Sequence, residues 1–330
     1  SRPTISTPGE LSHFADGVKY IFTDRNKVDD FRAGTESYDT KTIVVDTSQP
    51  LGMQENPYVI NSTDEWEIFV KKISKDGTHG NGQYYVLGKD LDFSSITPFR
   101  VVSKFNGTFY GLGNSLKNIA IDTWQYWDDT TNQYVNITGA ITYDGFGVFC
   151  STDGATFSDL ILENCNLKNA PLANTYKKAY STFVGCLIGT AKGNVDILNC
   201  HIEGTIINET SYGANTTVKG GIVGWHHAGA ILVYRCSSKT ELTSVVSNKV
   251  AFGGGILGDS DDTANTKVFD SVYNLKSNVT GALYDHIAAL GWARSETLFE
   301  NIIGFVDSNN SNGKNYSGAL VGSGTSMISL

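Results

Sequence analysis

The chain has 330 residues, of which 40% are hydrophobic and 18% charged, with a net charge of −9. This content fits a globular chain with a large core and excludes a disordered one. The charge is spread out, no basic run offers a track for phosphates, and no stretch nears the roughly 18 apolar residues of a membrane helix, which argues against nucleic acid and membrane insertion. Thirty-five glycines against six prolines indicate many tight turns and an all-β chain.

Residues 1–50 carry no repeat and read as a linker or a small N-terminal strand unit, with 51–330 as the main domain. The sequence opens at Ser1 with neither a methionine nor an apolar leader, as expected of a segment cut from an exported protein. Asn56-Pro-Tyr-Val-Ile60 reads as a strand, and Ser62-Thr-Asp-Glu65 as a capping box. Trp66, Phe69, Val70 and Ile73 then fall on one helical face, which predicts a helix near 63–74. Its expected role is to cap a stack of strands whose open end would otherwise invite aggregation. Little other helix is expected.

Tyr84-Tyr-Val-Leu87, Leu91-Asp-Phe93 and the run from Phe105 to Gly113 read as irregular first coils. An insertion follows over 122–143. Its Trp124, Tyr126, Trp127 and Tyr134 sit around Asp-Asp-Thr-Thr-Asn, which predicts a β-hairpin. Those aromatics either pack back onto the fold or offer a sugar or protein contact.

From there the chain repeats. Phe146-Gly-Val-Phe-Cys150 is matched by segments ending at Gly189, Gly224, Gly258, Gly291 and Gly322, with spacings that fall from 39 to 31 residues. A second segment follows five of the copies: Leu160–Cys165, Val195–Cys200, Ile231–Cys236, Lys267–Val272 and Thr297–Ile302. The copies lack helical periodicity and show two clear apolar runs with a weaker third, too few for a propeller blade. The expected fold is a right-handed parallel β-helix with coils of roughly 31–39 residues. Aligned copies place Leu162, Ile197, Val233, Phe269 and Phe299 in one inner column. The next two columns are Asn164, Asn199, Arg235, Ser271 and Asn301, at a left-handed bend, then Cys165, Cys200, Cys236, Val272 and Ile302. The five cysteines are odd in number and lack CxxC spacing, so they are expected to be buried free thiols and not metal ligands.

Asn56-Pro-Tyr-Val-Ile60 before a capped helix, the run Phe105…Gly107…Phe109…Gly111-Leu-Gly113 and the repeated Gly-x-Ile/Leu-Val/Leu-Gly together resemble bacterial surface proteins that carry the GLUG motif. Similar β-helical regions occur upstream of immunoglobulin-A-cleaving metallopeptidases and in adhesin-like proteins of gut bacteria. The resemblance covers about residues 50–330. It implies a β-helix that is secreted or displayed at the cell surface, but says little of function. Tyr110 stands where that family usually has Asp.

No catalytic or metal-binding motif is present. None of the six histidines is followed by Glu, which excludes a His-Glu-x-x-His zinc site, and there is no Gly-x-Ser-x-Gly elbow. The turn after each Gly-x-Ile-Val-Gly strand gathers Trp225, His226, His227, Asp259, Asp261, Asp262, Trp292 and Arg294 in one stripe. It reads as an ordinary solvated turn, as a glycan-binding face with the tryptophans as platforms, or as the site of a polysaccharide lyase or glycoside hydrolase. The histidines are expected to be surface groups. The three aspartates could hold Ca2+, and no other cofactor is implied. In the glycan reading, removing Trp225 and Trp292 together abolishes binding and leaves the melting temperature nearly unchanged. The favoured expectation is a monomeric, adhesin-like module that contacts a host or dietary glycan or protein, with the insertion's Trp124, Tyr126 and Trp127 as a second contact.

Overall fold

The computed structural model describes residues 4–5, 7–137, 145–170, 181–208, 216–245, 250–282, 284–311, 313–318, 320–324 and 328–329; residues 138–143 of the aromatic insertion lie outside these. The described residues form a parallel β-solenoid with two helices. One coil shows the plan. Strands Thr216–Gly220 and Val223–Tyr234 pair in parallel with successive parts of Val250–Phe269, and Ser237–Val245 pairs with Val272–Thr280. The next coil adds Tyr284–Ala293, Thr297–Glu300 and Ile303–Asn310 in the same order.

The glycine repeat stacks as its spacing predicts. Ile188 pairs with Val223, Val223 with Leu257, Leu257 with Leu290, and Leu290 with Val321, so the following glycines 189, 224, 258, 291 and 322 share one column. The first glycine of the motif has its own physical reason. At Gly220 and Gly254 a Cβ would overlap the carbonyl oxygen of Val223 or Leu257, because the chain folds back on itself within three residues. The strand ahead of that fold, seen as Ser181–Gly185 and Thr216–Gly220, was not expected. The described coils between Ser181 and Asn310 therefore have four straight runs where three were predicted. The extra one mixes Thr, Lys and Gly and shows no aliphatic run.

The second set of columns needs correction. The observed inner column is Phe157, Ile197, Val233, Val268 and Phe299. Phe157 and Val268 replace Leu162 and Phe269, a slip of five residues in the first copy and one in the fourth. The left-handed bend is made by Asp159, Asn199, Arg235, Asp270 and Asn301, all with φ between 49° and 55°. Asn199 donates to Asp159 at 2.7 Å and Asn301 donates to Asp270 at 2.8 Å, so the bend is bridged by two amide–carboxylate pairs where a run of stacked amides was expected. Asn164 belongs to a different bend, where its amide donates to Asn118 at 2.9 Å. The first copy carries two such bends five residues apart, and the pattern matched the wrong one.

Of the thiols expected to stack, only Cys200 and Cys236 do, with the Cys200 amide 3.5 Å from the Cys236 sulfur. Cys165 lies opposite Gly204. All five cysteines are free and buried, and burial pushes the Cys150 thiol up to about 12. Iodoacetamide at pH 8 should therefore label none of them in the native protein and all five in denaturant, read by intact mass. Labelling before unfolding would show that the coils open locally.

The first 50 residues contain an antiparallel pair, Lys19–Thr23 with Thr40–Val44, joined through helix α1, Arg25–Arg32. Val28 of α1 packs on Leu198, Leu232, Tyr234 and Phe269. Arg25 meets Asp196 at 3.2 Å, Arg32 meets Asp270 at 3.1 Å, and Thr23 hydrogen-bonds Asp159, so α1 lies along the bend ladder. Sequence reading missed α1 because it is eight residues long with one buried side chain. Helix α2, Thr63–Lys75, forms as its capping box predicts. The Glu65 amide donates to Ser62 Oγ, and Glu65 Oε2 accepts from the Asn61 amide. Trp66, Phe69, Val70 and Ile73 are its buried face, with Trp66 5.7 Å from Phe99 and 6.1 Å from Phe149.

Lys219 and Asp285 are buried among these coils. Lys219 donates to the Thr243 carbonyl, and Ser277 donates to Asp285 Oδ2 at 3.2 Å. Burial pulls Lys219 down to about 7 and pushes Asp285 up to about 7. For Asp285 the cost of ionisation is absent below the unfolded carboxyl value near 4, grows as pH rises, and is complete above about 7. Asp285→Asn should therefore stabilise the protein by about 2 kcal/mol at pH 8 and by nothing measurable at pH 4, in urea titrations at both values. For Lys219 the cost runs the other way, full below about 7 and fading toward its unfolded value near 10.5. A gain from Asp285→Asn that is equal at both pH values would show that Asp285 does not titrate in this window.

Candidate functional site: an aromatic corner

Successive residues after the glycine motif alternate faces, and this decides which stripe residues meet. His226, Ser260 and Ala293 share one column and are buried. The His226 Nδ1 lies 2.9 Å from Thr266 Oγ1, and Ser260 Oγ 2.7 Å from Ser295 Oγ. Burial holds the His226 imidazole down to about 4, so it is neutral at physiological pH. His226 is thus part of an internal polar ladder, which corrects the expectation that it is a surface group.

The neighbouring column reads Thr190, Trp225, Asp259, Trp292 and Ser323. It faces the strand that precedes the glycine fold, where Phe183, Val218, Phe252, His286 and Tyr316 form a column of their own. The two columns meet in a corner filled by stacked rings. Trp225 stacks on Phe183 at 4.4 Å, Trp292 on Phe252 at 4.6 Å, Phe252 on His286 at 5.2 Å, and His286 on Tyr316 at 5.0 Å. Asp259 stands between the two indoles and accepts from Arg294 at 2.5 Å, and the same guanidinium reaches Asp261 at 3.4 Å. Asp261 also meets His227 at 3.3 Å, and Arg294 lies 4.6 Å above the Trp292 ring. Burial pushes the Asp259 carboxyl up to about 6 despite its bonds to Arg294.

The fold therefore gathers Trp225, His227, Asp259, Asp261, Trp292 and Arg294, turns His226 away, and leaves Asp262 exposed. The carboxylates of Asp259 and Asp261 are engaged by Arg294, and among the described residues no group of three or more His, Cys, Asp or Glu side chains is placed to hold a metal. Trp225 is only 2% exposed, which corrects its expected role as an open platform. Its face is covered by Phe183. Trp292 is half-buried, and Tyr284 and Tyr316 are 40% and 42% exposed. Sequence reading missed Phe183, Phe252, His286 and Tyr316, although Phe183, Phe252 and Tyr316 lie two residues before the first position of the glycine motif and His286 lies one residue before it.

The insertion is a hairpin as predicted, Gln125–Asp128 paired antiparallel with Gln133–Asn136. Trp124 is buried, donates to the Lys168 carbonyl at 2.9 Å and meets Phe146 edge-on. Trp127 packs on Tyr134 at 5.0 Å, with the Lys71 ammonium of α2 4.7 Å from its ring. Tyr126 is half-buried. These rings pack back onto the fold and not into the corner.

Comparison with known proteins adds little. No protein family and no curated protein matches the chain. Among solved structures, the chain is similar to a "putative immunoglobulin A1 protease" from Bacteroides ovatus, at 15% identity and a TM-score of 0.41, over 83% of this chain and 86% of that one. No helix among the described residues is long and apolar enough to cross a membrane.

Proposed function

We propose that this solenoid is an adhesin-like module of an exported bacterial surface protein, and that the exposed end of the aromatic corner binds glycan. The observation that carries the reading is the set of rings at Tyr284, His286 and Tyr316. They lie 5.0–6.3 Å apart, Tyr284 and His286 on one strand and Tyr316 on the next coil, partly open to solvent, and His286 shares with Trp292 a stacking contact on Phe252. Coils about 4.8 Å apart place such rings in register with successive faces of a sugar chain. The buried Phe252 stacks on His286 and holds that end of the set in place, which limits the entropy lost on binding. The resemblance to GLUG-motif proteins supports export and display. A right-handed coil follows from the near-universal hand of parallel crossovers, and α2 is read as the cap of the first coils.

Asp259 and Asp261 share one guanidinium, which leaves neither placed as a free acid across a glycosidic bond. The test is a glycan array on the wild type and on Trp292→Ala/Tyr316→Ala, run beside a depolymerisation assay on each glycan bound. Binding should weaken about tenfold or more in the double variant, with no shortening of the glycan. Unchanged binding in a folded double variant would remove the corner as the site, and release of shorter chains would make the protein an enzyme.

A further inference from the structure

A second concavity lies between the hairpin, the end of α2 and the first coils. It is a cleft of about 250 Å³. Its walls come from parts of the chain far apart in sequence: Ser74 at the end of α2, His79 in the loop that follows, Lys104 on the strand Val102–Phe105, and Tyr126, Trp127 and Asp129 of the hairpin. The loop is held in place by its own bonds. Asp76 accepts from the amides of Thr78 and Gly80, and the His79 carbonyl accepts from the Asn106 amide at 2.9 Å. The hairpin is pinned by Trp124 below and by the cationic side chains of α2 around Trp127. The cleft is therefore a consequence of the insertion docking on α2.

Three polar atoms in its walls are buried and lack a hydrogen-bond partner: Ser74 Oγ, His79 Nδ1 and Trp127 Nε1. Trp127 is nine-tenths buried and its indole N–H can only donate. Native proteins seldom leave such atoms unpaired, and three around one cleft point to an absent group that supplies oxygen acceptors and hydroxyl donors. The charges favour neither an anion nor a cation. Lys104 stands 3.9 Å from Asp153, and Asp128 is engaged by its own turn through Thr130 and Thr131. Hydroxyl, indole, imidazole and one exposed carboxylate remain. The volume is below the range of pockets for larger ligands.

We propose that this cleft holds one neutral pyranose unit, with its ring against Tyr126 and Trp127 and its hydroxyls shared among Ser74, His79 and Asp129. The site is independent of the aromatic corner. It would take the end of a glycan, where the corner would take the length of one.

The test follows the indole N–H resonance of Trp127 in 15N-labelled protein, assigned with Trp127→Phe. Methyl glycosides of glucose, galactose and mannose, and free N-acetylglucosamine, are titrated into the millimolar range. One of them should shift that resonance saturably, with a Kd of about 1 mM. Asp129→Ala, at an exposed position, should weaken binding about tenfold with an unchanged melting temperature, while Trp292→Ala should leave the titration as it is. No saturable shift with any of the four sugars would overturn the proposal, and so would a shift that survives both Asp129→Ala and Tyr126→Ala intact.

Discussion

Replacing Gly254 by alanine is expected to cost about 3 kcal/mol or more, enough to leave little folded protein. The new Cβ would overlap the backbone carbonyl of Leu257, and the amide of Gly258 lies close behind it. Both groups are backbone, so no side-chain rotation relieves the clash. Leu257 is paired to Val223 on one side and Leu290 on the other, so any shift must pass to both neighbouring coils. Gly77→Ala is the control. No atom lies within 4 Å of a Cβ there, and its effect should stay within about 0.5 kcal/mol. Circular dichroism and urea denaturation of the two variants check this. If Gly254→Ala folds with near-native stability, the tight approach at the start of each motif is not what the glycine is for.

Trp225→Ala is the second large effect, at about 3–5 kcal/mol. The indole is buried in a cluster with Phe183, Val218 and Phe252 that is separate from the main core. Removing it strips Phe183 of its stacking partner and opens a void beside the Asp259 carboxylate. Trp292 is half-buried, and Trp292→Ala should cost less, about 1–2 kcal/mol. The burial of Trp225 therefore leads us to expect that removing both rings lowers the melting temperature, where the sequence-based expectation is a nearly unchanged one. Equal, small losses in urea denaturation for the two variants would show that the corner is loosely packed and that both rings are available to a ligand.

The parallel solenoid was legible because a stack repeats its demands. Successive coils fold back at nearly the same place, and glycine stands where the chain meets its own carbonyl at Gly220 and Gly254, so these residues mark the coil without reference to anything distant; in the next coil Ala288 takes the place of Gly254 and the fold is one residue shorter. Helix α2 was legible for a related reason. Ser62 Oγ accepts from the Glu65 amide and the Glu65 carboxylate accepts from the Asn61 amide, all within five residues, and the apolar face follows at once. Helix α1 was not, because most of what holds it comes from elsewhere. Val28 is buried by residues some 170 to 240 positions away, and Arg25 and Arg32 find their partners at Asp196 and Asp270.

The candidate site divides in the same way. The sequence by itself determined that Trp225, Asp259 and Trp292 recur at one position of successive coils, since parallel register carries equal offsets into one column. It could not determine which way the column points or what lies opposite. The backbone bend at the glycine motif sets the phase of the alternation, and one residue's difference sends His226 inward and Trp225 into the corner. The facing column, from Phe183 to Tyr316, belongs to a strand with no aliphatic signature, so only the folded coil brings its rings within 4.4–5.2 Å of their partners. Periodicity reports what is repeated along the chain. Burial of Trp225, the Arg294 clamp on two aspartates and the cleft under the hairpin depend on surfaces closing over one another, which tertiary structure alone decides.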